Sequence, residues 1–351
     1  DWWKSLGDAQ LDGLIAQAAG ALAAQIDTAG CTRPAVLFNT LSQDWTGPLE
    51  LPGGQWRDGG VIPAGGWTVV DLAAAASAPA CAPFEVAEGG RRILTPFWQA
   101  ELGEDGALTR LYDRRAAREV LAPGARANQW QIFEDRPMAH DAWDIDYYFE
   151  NHPLEGPALS SLRVAAQDVV HLSLELVWTL PAIDNKPVTT LRQEMIFYAS
   201  DPRIDFRTTA EWHVHHQLLK VAFPVDVRST WAAYQIQFGH ITRPTHRNTA
   251  WDMAQFEVSA HRFADLSEPG YGVALMNDCK YGYDIHGNVM RLTCIKSPQS
   301  PDPMADQGAH EFTYALLPHA GSFQEAGVIA SAARLNVAPV VCEVQIGRAH
   351  V

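Results

Sequence analysis

Cysteine is scarce and scattered. Cys31, Cys81, Cys279, Cys294 and Cys342 are odd in number and show no C-x-x-C spacing, which argues against a disulfide framework or a structural zinc site and mildly for a reducing compartment. Positive charge is also short: 26 Lys and Arg stand against 41 Asp and Glu, a net charge of −15. Nucleic-acid binding rests on neutralising phosphates with Lys and Arg, so nucleic acid is excluded as a partner. No run of about eighteen apolar residues is present to span a bilayer, so no membrane partner is expected. The chain has no nucleophilic Ser or Cys motif, phosphate loop or dinucleotide fingerprint, and no repeat of fixed period. The start, DWWKSLGDAQ, lacks an initiator Met, a basic n-region and an apolar h-region. The expectation is that it was cut or belongs to something longer.

What is present is aromatic and rich in turns. There are 12 Trp and 22 Pro in 351 residues, a combination that suits β-sandwiches and sugar handling, where rings stack on pyranose faces. The length suggests two or three domains. Leu11, Leu14, Ile15, Ala18, Leu22 and Ile26 form the stripe of an amphipathic helix, which ends near Asp27–Gly30 with Gly30 able to supply a left-handed cap. The period then becomes strand-like in AVLFN, PLEL and WTVVDL, and AAAASAPACAP reads as a linker. Beyond it, two strands meet at the turn-forming Asp105–Gly106 dipeptide. Strands follow at 129–133, 169–180, 189–198, 204–214, 219–225, 232–238, 256–262, 272–276, 289–295 and 310–317, with no helix between them. Strands without crossover helices indicate an antiparallel sandwich.

Four stretches could carry chemistry. In Gly270–Pro298, the apolar runs Val273–Met276 and Val289–Ile295 read as a hairpin. Its polar tip carries Asn277, Asp278, Lys280, Tyr281, Tyr283, Asp284 and His286. Loops on a rigid β scaffold are where binding groups are presented, although a solvated hairpin tip has the same pattern. Glu134–Tyr148 places Asp135, Asp141, Asp144 and Asp146 among Trp143, Tyr147 and Tyr148. Carboxylates accept sugar hydroxyls while rings stack, and glycosidases need two carboxyl groups across one bond; a solvated acidic loop pinned by aromatics is the other reading. In EWHVHH, Glu211, His213 and His215 would share a strand face as either a zinc half-site or a polar ladder. Gln237–Phe263 is a long donor-rich loop, with His240, Arg243, His246, Arg247, Asn248, Trp251 and Asp252, open to a functional or a space-filling role.

The segments EDRPMAHDAWDID, KVAFPVDV, YQIQFGHITRPTHRNTAWD, FEVSAHRFADLSE, GYGVALMNDCKYGYDIHGNVMRL and PDPMADQGAHEFTYALLPH together resemble the C-terminal half of glycoside hydrolase family 38 α-mannosidases of the bacterial and animal cytosolic branch. The resemblance runs from about Pro34 to Val337. It implies an N-terminal α/β barrel holding zinc and a nucleophilic Asp, then a helical bundle, then β-domains, with retaining hydrolysis through a covalent glycosyl-enzyme. The motifs of that barrel are not in this sequence, so the resemblance assigns no nucleophile, acid or metal ligand here. Zinc or another divalent cation would be bound outside this chain, which as a fragment is expected to be inactive. What carries over is a supporting, substrate-facing set: Asp135, Asp141, Trp143, Asp144, Asp278, Lys280, Tyr281 and Lys296. Three positions depart from the family pattern. Lys296 stands where many relatives have Arg and loses the bidentate fork, Val214 stands where WHE would place a carboxylate, and Thr95 stands where Asn is usual.

The expected fold is mainly β: a large antiparallel, mutarotase-like β-sandwich preceded by a small β-domain and one helix left from a helical bundle. The expected divisions are the helix at 1–29, the small β-domain at 30–76, a linker at 77–83, the sandwich at 84–337 and a tail outside the resemblance at 338–351. QIGRAHV, 345–351, matches the translation of a short-read sequencing adapter and is expected to be an assembly artefact. Expected partners are α-mannoside oligosaccharides and the absent catalytic barrel, in the cytoplasm, with homo-oligomerisation left open. A free-standing carbohydrate-binding module is the competing reading. A mutarotase-type enzyme, pairing Asp278 or Asp284 with His286, is a third.

Overall fold

The computed structural model describes residues 2–74, 83–180 and 187–344. Cys81, most of the 77–83 linker and the QIGRAHV tail lie outside the described residues. The chain divides into two compact units, residues 1–80 with 337–351, and residues 81–336.

The first unit holds α1 (Trp2–Ala23) and β1 (Pro34–Phe38), β2 (Trp45–Leu51), β3 (Gln55–Ile62) and β4 (Trp67–Asp71). β1 lies between β4 and a further strand, Val340–Glu343, and β2 pairs with β3. The tail past the sequence resemblance thus contributes a strand to this sheet. Alternating Ala35, Leu37, Trp45, Leu49, Leu51 and Ile62 pack as its core. Gly30 has a φ of +93°, but α1 ends at Ala23, so Gly30 does not cap it; it sits in a later turn where the Cys31 N–H donates to Thr28 O at 3.3 Å. The apolar stripe of α1 does not behave as expected: Leu11, Leu14, Ile15 and Leu22 are exposed, while Ala19 and Ala23 are buried. Among the described residues none covers these four side chains, and the buried contacts of α1 are made by its small residues instead.

The second unit is an antiparallel β structure. A five-stranded meander runs through β5 (Glu85–Ala87), β6 (Arg92–Leu94), β7 (Trp98–Leu102), β8 (Leu108–Asp113) and β9 (Arg118–Glu119). The β7–β8 turn needs Gly106: its φ is +82°, and a Cβ there would fall 2.9 Å from both Leu176 and Trp178. β10 (Gln129–Glu134), β11 (Pro153–Leu154), β12 (Ala158–Gln167), β13 (His171–Thr179), β14 (Thr190–Tyr198), β15 (Ile204–Trp212), β16 (Gln217–Pro224), β17 (Trp231–Ile236) and β18 (Gly239–Pro244) follow. A one-turn helix α2 (Ala250–Met253) comes next. The remaining strands are β19 (Val258–Ser259), β20 (Phe263–Glu268), β21 (Tyr271–Asn277), β22 (Gly282–His286), β23 (Val289–Lys296) and β24 (Gly308–Ala320), and α3 (Val328–Asn336) closes the unit.

These strands form a six-stranded sheet, β11-β10-β16-β23-β22-β19, and a nine-stranded sheet, β12-β13-β14-β15-β24-β21-β20-β17-β18. Strand alternation places Leu172, Leu174, Leu176, Phe206, Tyr314 and Leu316 of the larger sheet in one buried cluster with Trp130, Ile132, Val221, Phe223 and Leu292 of the smaller. On its other face the nine-stranded sheet packs Phe263, Met276 and Leu317 with Val328 and Ala332 of α3. Removing one fully buried aromatic such as Trp212 would cost about 3 to 5 kcal/mol.

Two sequence expectations are corrected. Val273–Met276 and Val289–Ile295 are not partners in a hairpin: β21 pairs with β20 and β24 in the large sheet, whereas β23 pairs with β22 and β16 in the small one. Residues 278–281 carry the chain from sheet to sheet, and 282–286, read as loop, is a strand with Tyr283, Asp284 and Ile285 buried. Asp284 disguised it, because a buried carboxylate looks like a turn residue. Glu211, His213 and His215 do not share a strand face either. β15 stops at Trp212, and His216 adopts a φ of +51°.

Candidate functional site

Three strand ends meet at one end of the six-stranded sheet. In register, Glu134 of β10 faces Gln217 of β16, and Leu218 faces Lys296 of β23, so the loops leaving these ends are neighbours. The Asp135 backbone N–H donates to His216 O at 2.8 Å, and the His216 N–H donates to Ser297 O at 2.8 Å. Ser297 Oγ in turn donates to Gln217 O at 2.9 Å.

On this frame Asp135 is buried and its carboxylate accepts the Lys296 ammonium. Burial pushes the Asp135 carboxyl above its usual range, and the ammonium opposes the rise. Asp141 accepts the backbone N–H groups of Gln299 and Ser300 at 2.7 and 3.1 Å, and its second oxygen lies 3.6 Å from His216 Nδ1. Gln299 Oε1 is 2.9 Å from His216 Nε2. The acidic aromatic loop is closed from within, because Asp146 accepts both the Met138 N–H and the Tyr148 hydroxyl. The N–H groups of Trp143 and Asp144 both donate to His140 O. That tight turn projects Trp143 outward, 73% exposed. Asp135, Asp141, Trp143, Asp144 and Lys296 are therefore one neighbourhood.

The sheet-to-sheet connection holds the other candidates. Asn277 organises it: its side-chain amide donates to His261 O at 2.7 Å and Tyr283 Oη at 2.6 Å and accepts the Lys280 N–H at 2.7 Å. Asp278 is locked to β24, with its N–H donating to Thr313 O and its Oδ2 accepting the Thr313 N–H at 2.9 Å. Its Oδ1 is buried with no hydrogen-bond partner among the described residues. Lys280 Nζ sits 4.8 Å above the Phe312 ring, and Tyr281 is exposed beside His261. Asp306 lies within electrostatic reach of Lys280 in one group and Lys296 in the other. Burial raises its pKa while His310, Lys280 and Lys296 all act to lower it. The sequence reading did not single out Asp306 or Gln299, although both lie in segments rich in Pro, Asp and Gln.

The other feature it missed is a buried chain of charges on the outer face of the six-stranded sheet. Lys220, fully buried, pairs with Glu257 and with Asp284 at 2.7 Å. Asp284 also accepts Arg291 Nε at 2.8 Å, and Arg291 and Arg247 both bind Glu150. Three cations therefore balance three carboxylates. Although burial favours neutral Lys220, Asp284 and Glu257 outweigh it and hold the ammonium above its ordinary pKa. This commits Asp284 to structure and removes it from any mutarotase-like pairing with His286. Among the described residues no group of three or more His, Cys, Asp or Glu could hold a metal ion, and no helix is long and apolar enough to cross a membrane.

The profile of the glycosyl hydrolases family 38 C-terminal domain matches residues 93–304. Human "Alpha-mannosidase 2C1" is 47% identical over 240 residues, 68% of this chain and 22% of that protein. "Alpha-mannosidase G" of Dictyostelium discoideum is 40% identical over 255 residues, 71% of this chain and 23% of that protein. The chain thus spans about a fifth of the length of the curated relatives it matches. The crystal structure of an alpha-mannosidase from Enterococcus faecalis V583 shares the fold, with a TM-score of 0.71 at 12% identity, over 91% of this chain and 46% of that one. Sequence and fold agree: the chain belongs to glycosyl hydrolase family 38, as its C-terminal domain.

Proposed function

We propose that this chain is the β-rich C-terminal portion of a zinc-dependent retaining α-mannosidase that hydrolyses terminal α-mannosides in the cytoplasm, and that its loop cluster forms the supporting side of the sugar site. The observation that carries the reading is the gathering of Asp135, Asp141 and Lys296 at the ends of three adjacent strands in a family 38 C-terminal domain, with Asp306 in electrostatic reach of both Lys296 and Lys280. Carboxylates there accept sugar hydroxyls, Trp143 offers a ring face, and the Lys280 and Lys296 ammonium groups orient the acidic side chains. The described residues do not supply a metal-binding set; a divalent cation, the nucleophile and the general acid would come from a catalytic barrel on other segments of the full-length protein.

The chain alone is therefore expected to release no aryl alcohol from an aryl α-mannoside in the presence of zinc or cobalt. Metal-dependent turnover by this chain would overturn its proposed inactivity. In the full-length protein, the same assay with and without a chelator tests the mannosidase reading, and a protein inactive on every α-mannoside contradicts it.

A further inference from the structure

The segments 213–216, 278–281 and 297–307 each cross between the nine-stranded and the six-stranded sheet, from β15 to β16, β21 to β22 and β23 to β24. The first carries His216, a residue outside the substrate-facing set. Its backbone lies in the left-handed region, with φ +51°, which side chains other than glycine enter at a cost. Two residues near it share that conformation, His140 of the acidic aromatic loop at +53° and Asp306 at +56°. Such strain persists only where the surroundings impose it.

Backbone and ring of His216 face the same two loops. Its carbonyl accepts the Asp135 N–H and its own N–H donates to Ser297 O, both at 2.8 Å. In the ring, Nε2 lies 2.9 Å from Gln299 Oε1 and Nδ1 lies 3.6 Å from Asp141 Oδ1. An amide oxygen only accepts, so Nε2 carries a proton and Nδ1 is turned to the carboxylate. Asp141 Oδ2 in turn accepts the N–H groups of Gln299 and Ser300. The ring thereby closes a circuit through Gln299 and Asp141 that joins the acidic aromatic loop to 297–300. It acts on Asp135 as well: burial raises that carboxyl, while Lys296 and, at longer range, His216 act to lower it. With its side chain 17% exposed, the imidazole is shielded but still reachable from solvent.

The two parts of the residue are separable. Holding the chain together needs only the backbone bonds, whereas the polar neighbours of the ring belong to the two loops that carry Asp135, Asp141 and Trp143 and follow Lys296. We propose that His216 is a positioning residue of the sugar site, whose imidazole holds Asp141 and Gln299 so that these loops present one surface to the substrate. This rests on the α-mannosidase reading above.

The test uses the full-length protein and an aryl α-mannoside. His216→Gly accepts the same φ without strain and removes only the side chain. Its KM should rise about tenfold while kcat stays within about twofold of wild type, with an unchanged unfolding midpoint. Imidazole added to this variant should restore part of the lost KM. Gln299→Leu, at an exposed position, should raise KM in the same direction and stands in if His216→Gly misfolds. The double variant should raise it no further than His216→Gly alone, because the two residues act through one contact. Unchanged KM in both single variants overturns the proposal. A loss of activity that follows a lowered unfolding midpoint and does not respond to imidazole overturns it equally, by making the ring a structural strut. A wild-type protein inactive on every α-mannoside is a different failure: it removes the α-mannosidase reading, and the proposal with it.

Discussion

Two groups of charged residues sit on the same six-stranded sheet and are used in opposite ways. On its outer face, Lys220, Glu257, Asp284, Arg291, Glu150 and Arg247 satisfy one another. At its end, the acids and amines of the loop cluster are only partly matched: Asp278 keeps a buried oxygen without a partner among the described residues, and Trp143 and Tyr281 stand exposed. A closed set of charges fixes loops in place. An incompletely matched set beside exposed aromatics is what a polar ligand can complete. The first therefore serves the second, because Glu150 ends the acidic aromatic loop and the network ties it down through Arg247 and Arg291.

The comparison breaks most strongly at Lys220. Lys220→Met leaves Asp284 and Glu257 buried without their shared cation, and stability in urea unfolding should fall by about 3 to 5 kcal/mol. A change below about 1 kcal/mol would mean that the network is not the anchor.

Glu150 gives the pH-dependent form of the same test. Burial raises its pKa, but Arg247 and Arg291 outweigh that and hold it at about 2, against an ordinary 4.5. Because the folded value is depressed, the contribution is fully present above pH 4.5 and disappears as pH falls toward 2. It is on the order of 3 kcal/mol. The stability difference between the wild type and Glu150→Gln should shrink across that window, and a difference independent of pH contradicts the assignment.

At the sheet end the effects should be smaller. Lys296→Met removes the cation from buried Asp135, whose carboxyl already sits above its usual range through burial. The carboxyl can respond by taking up a proton, so the loss at neutral pH should be about 1 to 3 kcal/mol. It should diminish as the pH is lowered and Asp135 protonates in both proteins. The smallest effect belongs to Trp143→Ala, within about 0.5 kcal/mol in stability, because the ring is already in solvent. Thermal unfolding of the two variants side by side checks this order.

Much of the architecture was readable from residue alternation. HLSLELVWT shows β13 directly, and Asp105–Gly106 marks the β7–β8 turn. Misreadings arose where charge was buried. Asp284 made β22 look like a loop, and Lys220 and Glu257 gave no sign of pairing across 37 residues. Such contacts depend on sheet register, which one sequence does not state. β12 and β18 alternate weakly because both are exposed edge strands. The candidate site could be read from the sequence only as residue types in loops. That Asp306 comes within electrostatic reach of Lys280 and Lys296 was not legible there, since this depends on β23 and β24 lying in different sheets.

The most direct test of the central claim, that the loop cluster serves the sugar, is Asp278→Asn in the full-length protein. The substitution keeps an oxygen for the Thr313 N–H and changes only the oxygen that lacks a partner. kcat/KM on an aryl α-mannoside should fall about tenfold or more, with an unchanged unfolding midpoint. Unchanged kcat/KM would contradict the account and return the connection at 278–281 to a purely structural role.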